Sequence, residues 1–148
     1  MERVYVSAVL DAPIGRVWQK IRDFNGLAGW VPAVAASEIA GGGDGSRLGS
    51  VRVLSLANGG GTVKERLLAL DEFTCCYSYS IIESPLPIEN YVAHIRLKPV
   101  TIGARTFVEW VGEFDVAGGN AAEMHQLFGE GVYGAGLTQL AVLLAASA

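Results

Sequence analysis

Residues 120–148 read NAAEMHQLFGEGVYGAGLTQLAVLLAASA, and the fold turns on this stretch. Asn120 offers a helix cap, with Glu123 three residues later as its capping-box partner. Met124, Leu127, Phe128, Val132, Ala135 and Leu143 then keep one face apolar at helical spacing. The spacing predicts a terminal helix of about 25 residues, about 37 Å long at the α-helical rise. Such a helix crosses a whole sheet, and its apolar face needs a sheet to cover.

Upstream of it the punctuation is that of antiparallel hairpins. Arg3 to Leu10 reads as a strand that Asp11-Ala12-Pro13 stops, offering a cap and a first-turn proline to a short helix with Ile14, Val17, Trp18 and Ile21 inward. A second short helix is expected from Gly26 to Trp30, before Pro32. Strands follow over Leu48 to Leu56, Thr62 to Leu70, Thr74 to Ile82, Asn90 to Leu97 and Arg105 to Val116, separated by Gly, Asn, Asp and Pro. Ser84 to Ile88, with Pro85 and Pro87, is a longer loop. A strongly twisted sheet curls, and a long helix fits its concave face. The expected architecture is α+β: a curved antiparallel sheet of about seven strands around a long C-terminal helix, forming a single domain over 1–148. The runner-up is a two-layer sandwich without a cavity.

Composition narrows the function. Apolar residues make up 51% and charged residues 18% of 148, which suits a protein with a core and an internal pocket to line. The net charge of −4 carries no basic footprint for phosphates, so nucleic acid is not an expected partner. No signal-peptide pattern opens the chain and no run of 18 apolar residues is present, so a cytoplasmic protein without a membrane span is expected. Cys75 and Cys76 lie side by side in a stretch that alternates like a strand, and they fit reduced, half-buried thiols. His94 and His125 have no partners at ligand spacing. The glycine clusters join strands and do not open helices, so neither metal nor cofactor is expected.

Several short stretches, in order, carry a resemblance: Ala12-Pro13-Ile14 with Val17-Trp18, Phe24-Asn25-Gly26-Leu27, Trp30-Val31-Pro32, Glu65-Arg66-Leu67, Tyr77-Ser78-Tyr79, Asn90-Tyr91 and Val108-Glu109-Trp110. With these the chain resembles the START-like, Bet v 1-like helix-grip superfamily (SRPBCC), and within it the polyketide cyclase/dehydrase-like proteins. More distantly it is similar to the plant abscisic-acid receptors, through Glu65-Arg66-Leu67, Asn90-Tyr91 and Phe128 with Val132. The resemblance implies a hydrophobic cavity between sheet and helix, closed by loops at Ala57 to Gly61 and Ser84 to Ile88. Asn58-Gly59-Gly60-Gly61 stands where the receptors have a proline-containing gate, and Trp110 where they have a second buried glutamate. Val31 stands where cyclase-like relatives often carry His after the Trp.

Strand alternation with this resemblance gives the inward set: Val63, Glu65 and Leu67; Tyr77, Tyr79 and Ile81; Tyr91, Ala93 and Ile95; Val108, Trp110 and Phe114. Val51 and Val53 are expected at the rim. Leu86 joins them from the loop, and Phe128 and Val132 from the helix. Of these, Val53, Glu65, Tyr77, Tyr79, Ile81, Leu86, Tyr91, Trp110, Phe128 and Val132 are the candidate ligand contacts. Glu65 is the exceptional member, because a carboxylate on an apolar face needs donors or a proton, and Tyr79, Tyr91 or water could supply them. Two functions stay open: binding or carriage of a small hydrophobic, aromatic or polyketide-like molecule, and a cyclase or dehydratase using Glu65 or a pocket tyrosine as general acid or base. Oligomeric state is open too, a homodimer included.

Overall fold

The computed structural model describes residues 1–147. Strand β1 spans Glu2–Leu10 and is followed by helix α1, Ile14–Ile21, and a 3-10 segment, Phe24–Gly29. Strands β2 (Val34–Ile39), β3 (Val51–Leu56), β4 (Thr62–Asp71), β5 (Cys76–Glu83), β6 (Ile88–Pro99) and β7 (Thr106–Val116) then run as consecutive hairpins. All pair antiparallel in one sheet, ordered β1-β7-β6-β5-β4-β3-β2. The terminal helix α2 runs Ala121–Ala146. This is the helix-grip architecture.

The connection through α1 and the 3-10 segment carries the chain from one edge of the sheet to the other. Val17, Trp18, Ile21, Phe24 and Leu27 are buried along it. The cap expected of Asp11 is absent: Pro13 takes the cap position without a side-chain bond, its carbonyl accepting from Arg16 and Val17 N–H. Thr106 Oγ1 donates to the Ala12 carbonyl at 2.7 Å, tying this corner to β7. Asn120 does cap α2, its side chain accepting from the N–H groups of Ala122 and Glu123.

By length and apolarity α2 could cross a membrane, against the expectation of no such segment. Its apolarity has another use here, since Phe128, Tyr133, Leu137, Leu140 and Leu144 are buried in the core. The helix is not regular. Leu127–Gly134 is π-helical, so the buried positions step by five from Phe128 to Tyr133 before the helical spacing resumes. That extra residue turns Tyr133 inward and leaves Ala135 and Leu143 only partly buried.

Two further expectations are corrected. Cys75 adopts φ 54° in the turn before β5, so only Cys76 belongs to the strand. In β3 the inward residues are Arg52 and Leu54, both buried, and Val51 and Val53 take the opposite face. Register explains it: Arg52 sits directly across from Glu65 and Leu54 from Val63, and directly opposed residues share a face of the sheet. With Glu65 inward, Arg52 must be inward too.

Candidate binding cavity

Between the concave face and α2 lies a cavity of about 330 Å³. The sheet supplies Leu54 and Leu56 from β3, Val63 and Glu65 from β4, and Tyr79 and Ile81 from β5. Tyr91 comes from β6 and Trp110 from β7. Helix α2 adds Leu127, Phe128 and Val132, while Leu27, Ala33 and Val34 close the side next to β2. Ala57, Asn58, Gly60 and Leu86 form the remaining wall. They belong to the two loops expected to close the space, and those loops meet, since a Cβ on Gly61 would lie 3.3 Å from Pro85 Cγ.

Eight of the ten candidate contacts therefore line one space. Val53 does not, because β3 is inverted relative to expectation. Tyr77 does not either: it lies deeper, edge-on to Phe24 with ring centroids 5.9 Å apart, and its hydroxyl is sealed without a hydrogen bond to any described residue. Sequence reasoning missed Arg52 and Tyr133. Arg52 was masked by its charge, which reads as outward, and Tyr133 by the π-helical step.

Glu65 was expected to lean on a tyrosine or water, and its partner is instead Arg52. Arg52 Nε donates to Glu65 Oε1 at 2.8 Å. Nη2 lies 2.7 Å from the same oxygen but out of hydrogen-bond alignment, and Nη1 donates to the Phe24 carbonyl at 2.9 Å. The guanidinium is fully buried, with its Cζ 3.9 Å from the Phe24 ring centroid and 4.8 Å from that of Tyr79. Aromatic faces and a carboxylate thus replace its water. Burial pushes the Glu65 carboxyl above its ordinary value while Arg52 pulls against that rise. Burial also opposes the charge on Arg52, but the Glu65 carboxylate beside it outweighs burial and keeps the guanidinium charged. Oε2 accepts no hydrogen bond from any described residue, and the residue it belongs to lines the cavity.

Behind the cavity runs a chain of hydroxyls. Trp110 Nε1 donates to the Tyr79 hydroxyl at 3.1 Å, that hydroxyl lies 3.4 Å from the one on Tyr91, and Tyr91 is hydrogen-bonded in turn to Tyr133. Gly112 leaves the notch that admits the Tyr133 hydroxyl, where a Cβ would collide with it. Burial, then the nearby Tyr133, raises Tyr79 and Tyr91 well above the usual phenol value, and burial raises Tyr133. All three therefore stay neutral at ordinary pH and serve as hydrogen-bonding groups.

The histidines stand apart from this space. His94 Nδ1 is 2.6 Å from Ser78 Oγ, and His125 Nε2 is 2.8 Å from Glu2 Oε1. Among the described residues no three His, Cys, Asp or Glu side chains gather as a metal site. Val31, where cyclase-like relatives often carry His, is fully buried.

A family model described as polyketide cyclase/dehydrase and lipid transport matches residues 1–145. Among solved structures, XoxI from Bacillus cereus is 32% identical with a TM-score of 0.86, over 98% of this chain and 96% of that one. A protein from Nitrosospira multiformis is 36% identical with a TM-score of 0.79, over 95% of this chain and 94% of that one. A norcoclaurine synthase mutant from Thalictrum flavum, in complex with a transition-state analogue, is 17% identical with a TM-score of 0.75, over 99% of this chain and 95% of that one, a likeness of fold alone. No curated protein matches by sequence.

Proposed function

We propose that this chain, which belongs to the polyketide cyclase/dehydrase and lipid transport family, binds and carries a small apolar molecule, aromatic or polyketide-like, between its sheet and terminal helix. The observation that carries this reading is the space itself. Protein interiors pack with few voids larger than a water molecule, whereas here about 330 Å³ is left open. That volume falls within the range of small-molecule sites, and its wall is mostly apolar with a few polar groups.

The test is binding of an environment-sensitive apolar dye to the native protein and its displacement by aromatic compounds. Val132→Trp places an indole in the cavity, so dye affinity should fall by about ten-fold or more while the unfolding midpoint holds. A wild-type protein that leaves the dye dark, or a variant that binds it as well as wild type, would overturn the reading.

A further inference from the structure

The cavity's polar groups are unequal in what they offer. Arg52 is fully buried and is not among the lining residues, and its nitrogens face Glu65 Oε1 and the Phe24 carbonyl. A ligand therefore meets the carboxylate and not the cation. Oε2 of Glu65 stands free as an acceptor.

The hydroxyl chain supplies a donor beside it. Tyr79, Tyr91 and Tyr133 hold three protons but have two links between them, so one proton must point out of the chain. Were it the proton of Tyr133, it would be trapped at the Gly112 notch, where no described acceptor is bonded to it. Were it the proton of Tyr91, with both neighbours donating to that hydroxyl, it would also fall on the cavity wall, but on β6, one strand further from Glu65 than Tyr79. Running the chain the other way, from Tyr133 to Tyr91 to Tyr79, leaves the spare O–H on Tyr79, which lines the cavity and already accepts from Trp110. Buried polar groups are satisfied wherever an arrangement allows it, so this direction is preferred. Tyr79 and Glu65 are neighbours on one sheet face, since Leu67 pairs with Tyr79 and Glu65 with Ile81.

We infer that the ligand carries a neutral hydroxyl at its inner end, giving its proton to Glu65 Oε2 and accepting one from Tyr79, an inference that rests on the cavity being a binding site. A phenol or alcohol satisfies both groups at once. An ether or ketone leaves Oε2 without a donor, and a carboxylate meets a like charge.

The experiment titrates the native protein at pH 7 with 2-naphthol, 2-methoxynaphthalene and 2-naphthoate. A merely apolar cavity favours the ether, which is less costly to desolvate. The inference expects 2-naphthol to bind about ten-fold tighter than the ether, with 2-naphthoate weakest. In Tyr79→Phe and in Glu65→Gln the preference for the naphthol should shrink several-fold, and in Glu65→Gln 2-naphthoate should gain because Arg52 loses its counter-charge. An ether that binds as tightly as the naphthol overturns the inference, as does a preference unchanged in both variants. Should Glu65→Gln fail to fold, the wild-type ratio and Tyr79→Phe decide. Dye binding with none of the three naphthalenes bound overturns the hydroxyl while the cavity stands, and absence of dye binding removes the cavity reading itself.

Discussion

The Arg52–Glu65 pair stakes more on its partnership than any other contact around the cavity. Both side chains are buried, and removing one partner strands the other's charge. Such losses cost about 3–5 kcal/mol, whereas replacing both partners by apolar residues of similar volume is often neutral or stabilising. Arg52→Met and Glu65→Leu are each expected to lower stability by that amount, and the double variant to return to within about 2 kcal/mol of wild type. Urea unfolding of all four proteins checks it, and additive losses in the double variant would sink the idea that the pair acts as a unit. pH adds a sign. The native value of Glu65 is raised above its ordinary 4.5, so over the interval between the two values the folded state binds more protons than the unfolded chain. Its contribution is therefore present below about pH 4.5 and lost as pH rises through the native value. Asp44, Asp71, Glu72 and Asp115 are shifted down by their hydrogen bonds and act the other way, losing stability as pH falls through their native values. Both proteins keep those four groups, so their comparison isolates the pair, and wild type should lose stability relative to the double variant as pH rises from 4.5. Glu65 itself was legible in the sequence, as a carboxylate in an inward register. Arg52 was not, because a charge at a strand position reads as solvated until its cross-strand partner is known.

At the scale of elements, the irregularity in α2 sets which side chains reach the hydroxyl chain. A helix drawn with uniform spacing from Asn120 would turn its apolar face through Ala135 and Leu143. The π-helical turn over Leu127–Gly134 shifts the register by one residue and brings Tyr133 beneath the sheet, stacked on Trp110 with ring centroids 4.3 Å apart. Glycine makes the turn feasible, since a Cβ at Gly134 would lie 2.7 Å from the Gly129 carbonyl oxygen. The helix as an element was legible from periodicity and its Asn cap. The inserted residue was not, because three glycines in FGEGVYG lower helix propensity without saying which hydrogen bond is lost. Gly112 on β7 is the counterpart of this turn, as its bare Cα admits the Tyr133 hydroxyl. Gly112→Ala is expected to cost about 1–3 kcal/mol by overpacking. Adding Tyr133→Phe should recover part of that loss by removing the oxygen the methyl group meets. Thermal unfolding of the single and double variants decides, and no recovery in the double variant would mean that the new methyl group strains the strand itself.

For the whole molecule, the curled sheet and the helix across it followed from hairpin punctuation and one long apolar helix, whereas the edge strand β2 (Val34–Ile39) did not, because its largely exposed VAASEI carries little apolar alternation. The open volume did not, because alternation tells which residues face inward and not whether they touch. Closure belongs to this scale as well, since it depends on two loops from different hairpins meeting over the cavity. Asn58 and Gly59 both adopt positive φ in the first loop, and Pro85 of the second packs beside Gly61. Outside the ladders the first loop is held by Ala57 N–H to the Ala33 carbonyl, Gly60 N–H to the Ala57 carbonyl and Leu56 N–H to the Gly61 carbonyl, and the second by Ile88 N–H to the Leu86 carbonyl and Ala117 N–H to the Pro87 carbonyl. The strands behind them pair over most of their length, with register shifts at Lys64/Glu65, Leu67/Ala69 and Glu89/Val92. Segments so weakly held open at lower free energy than the strands they join. A ligand that fills the cavity touches Ala57, Asn58, Gly60 and Leu86, so it should hold both loops closed and slow their amide exchange together. The expected result is faster exchange in 57–61 and 84–88 than in β4 and β5 without ligand, and at least about ten-fold slowing in both loops at ligand concentrations about a hundred times Kd. Protection of one loop alone would mean that they do not act as a joint cover. Equal exchange with and without a bound ligand would place its route of entry elsewhere.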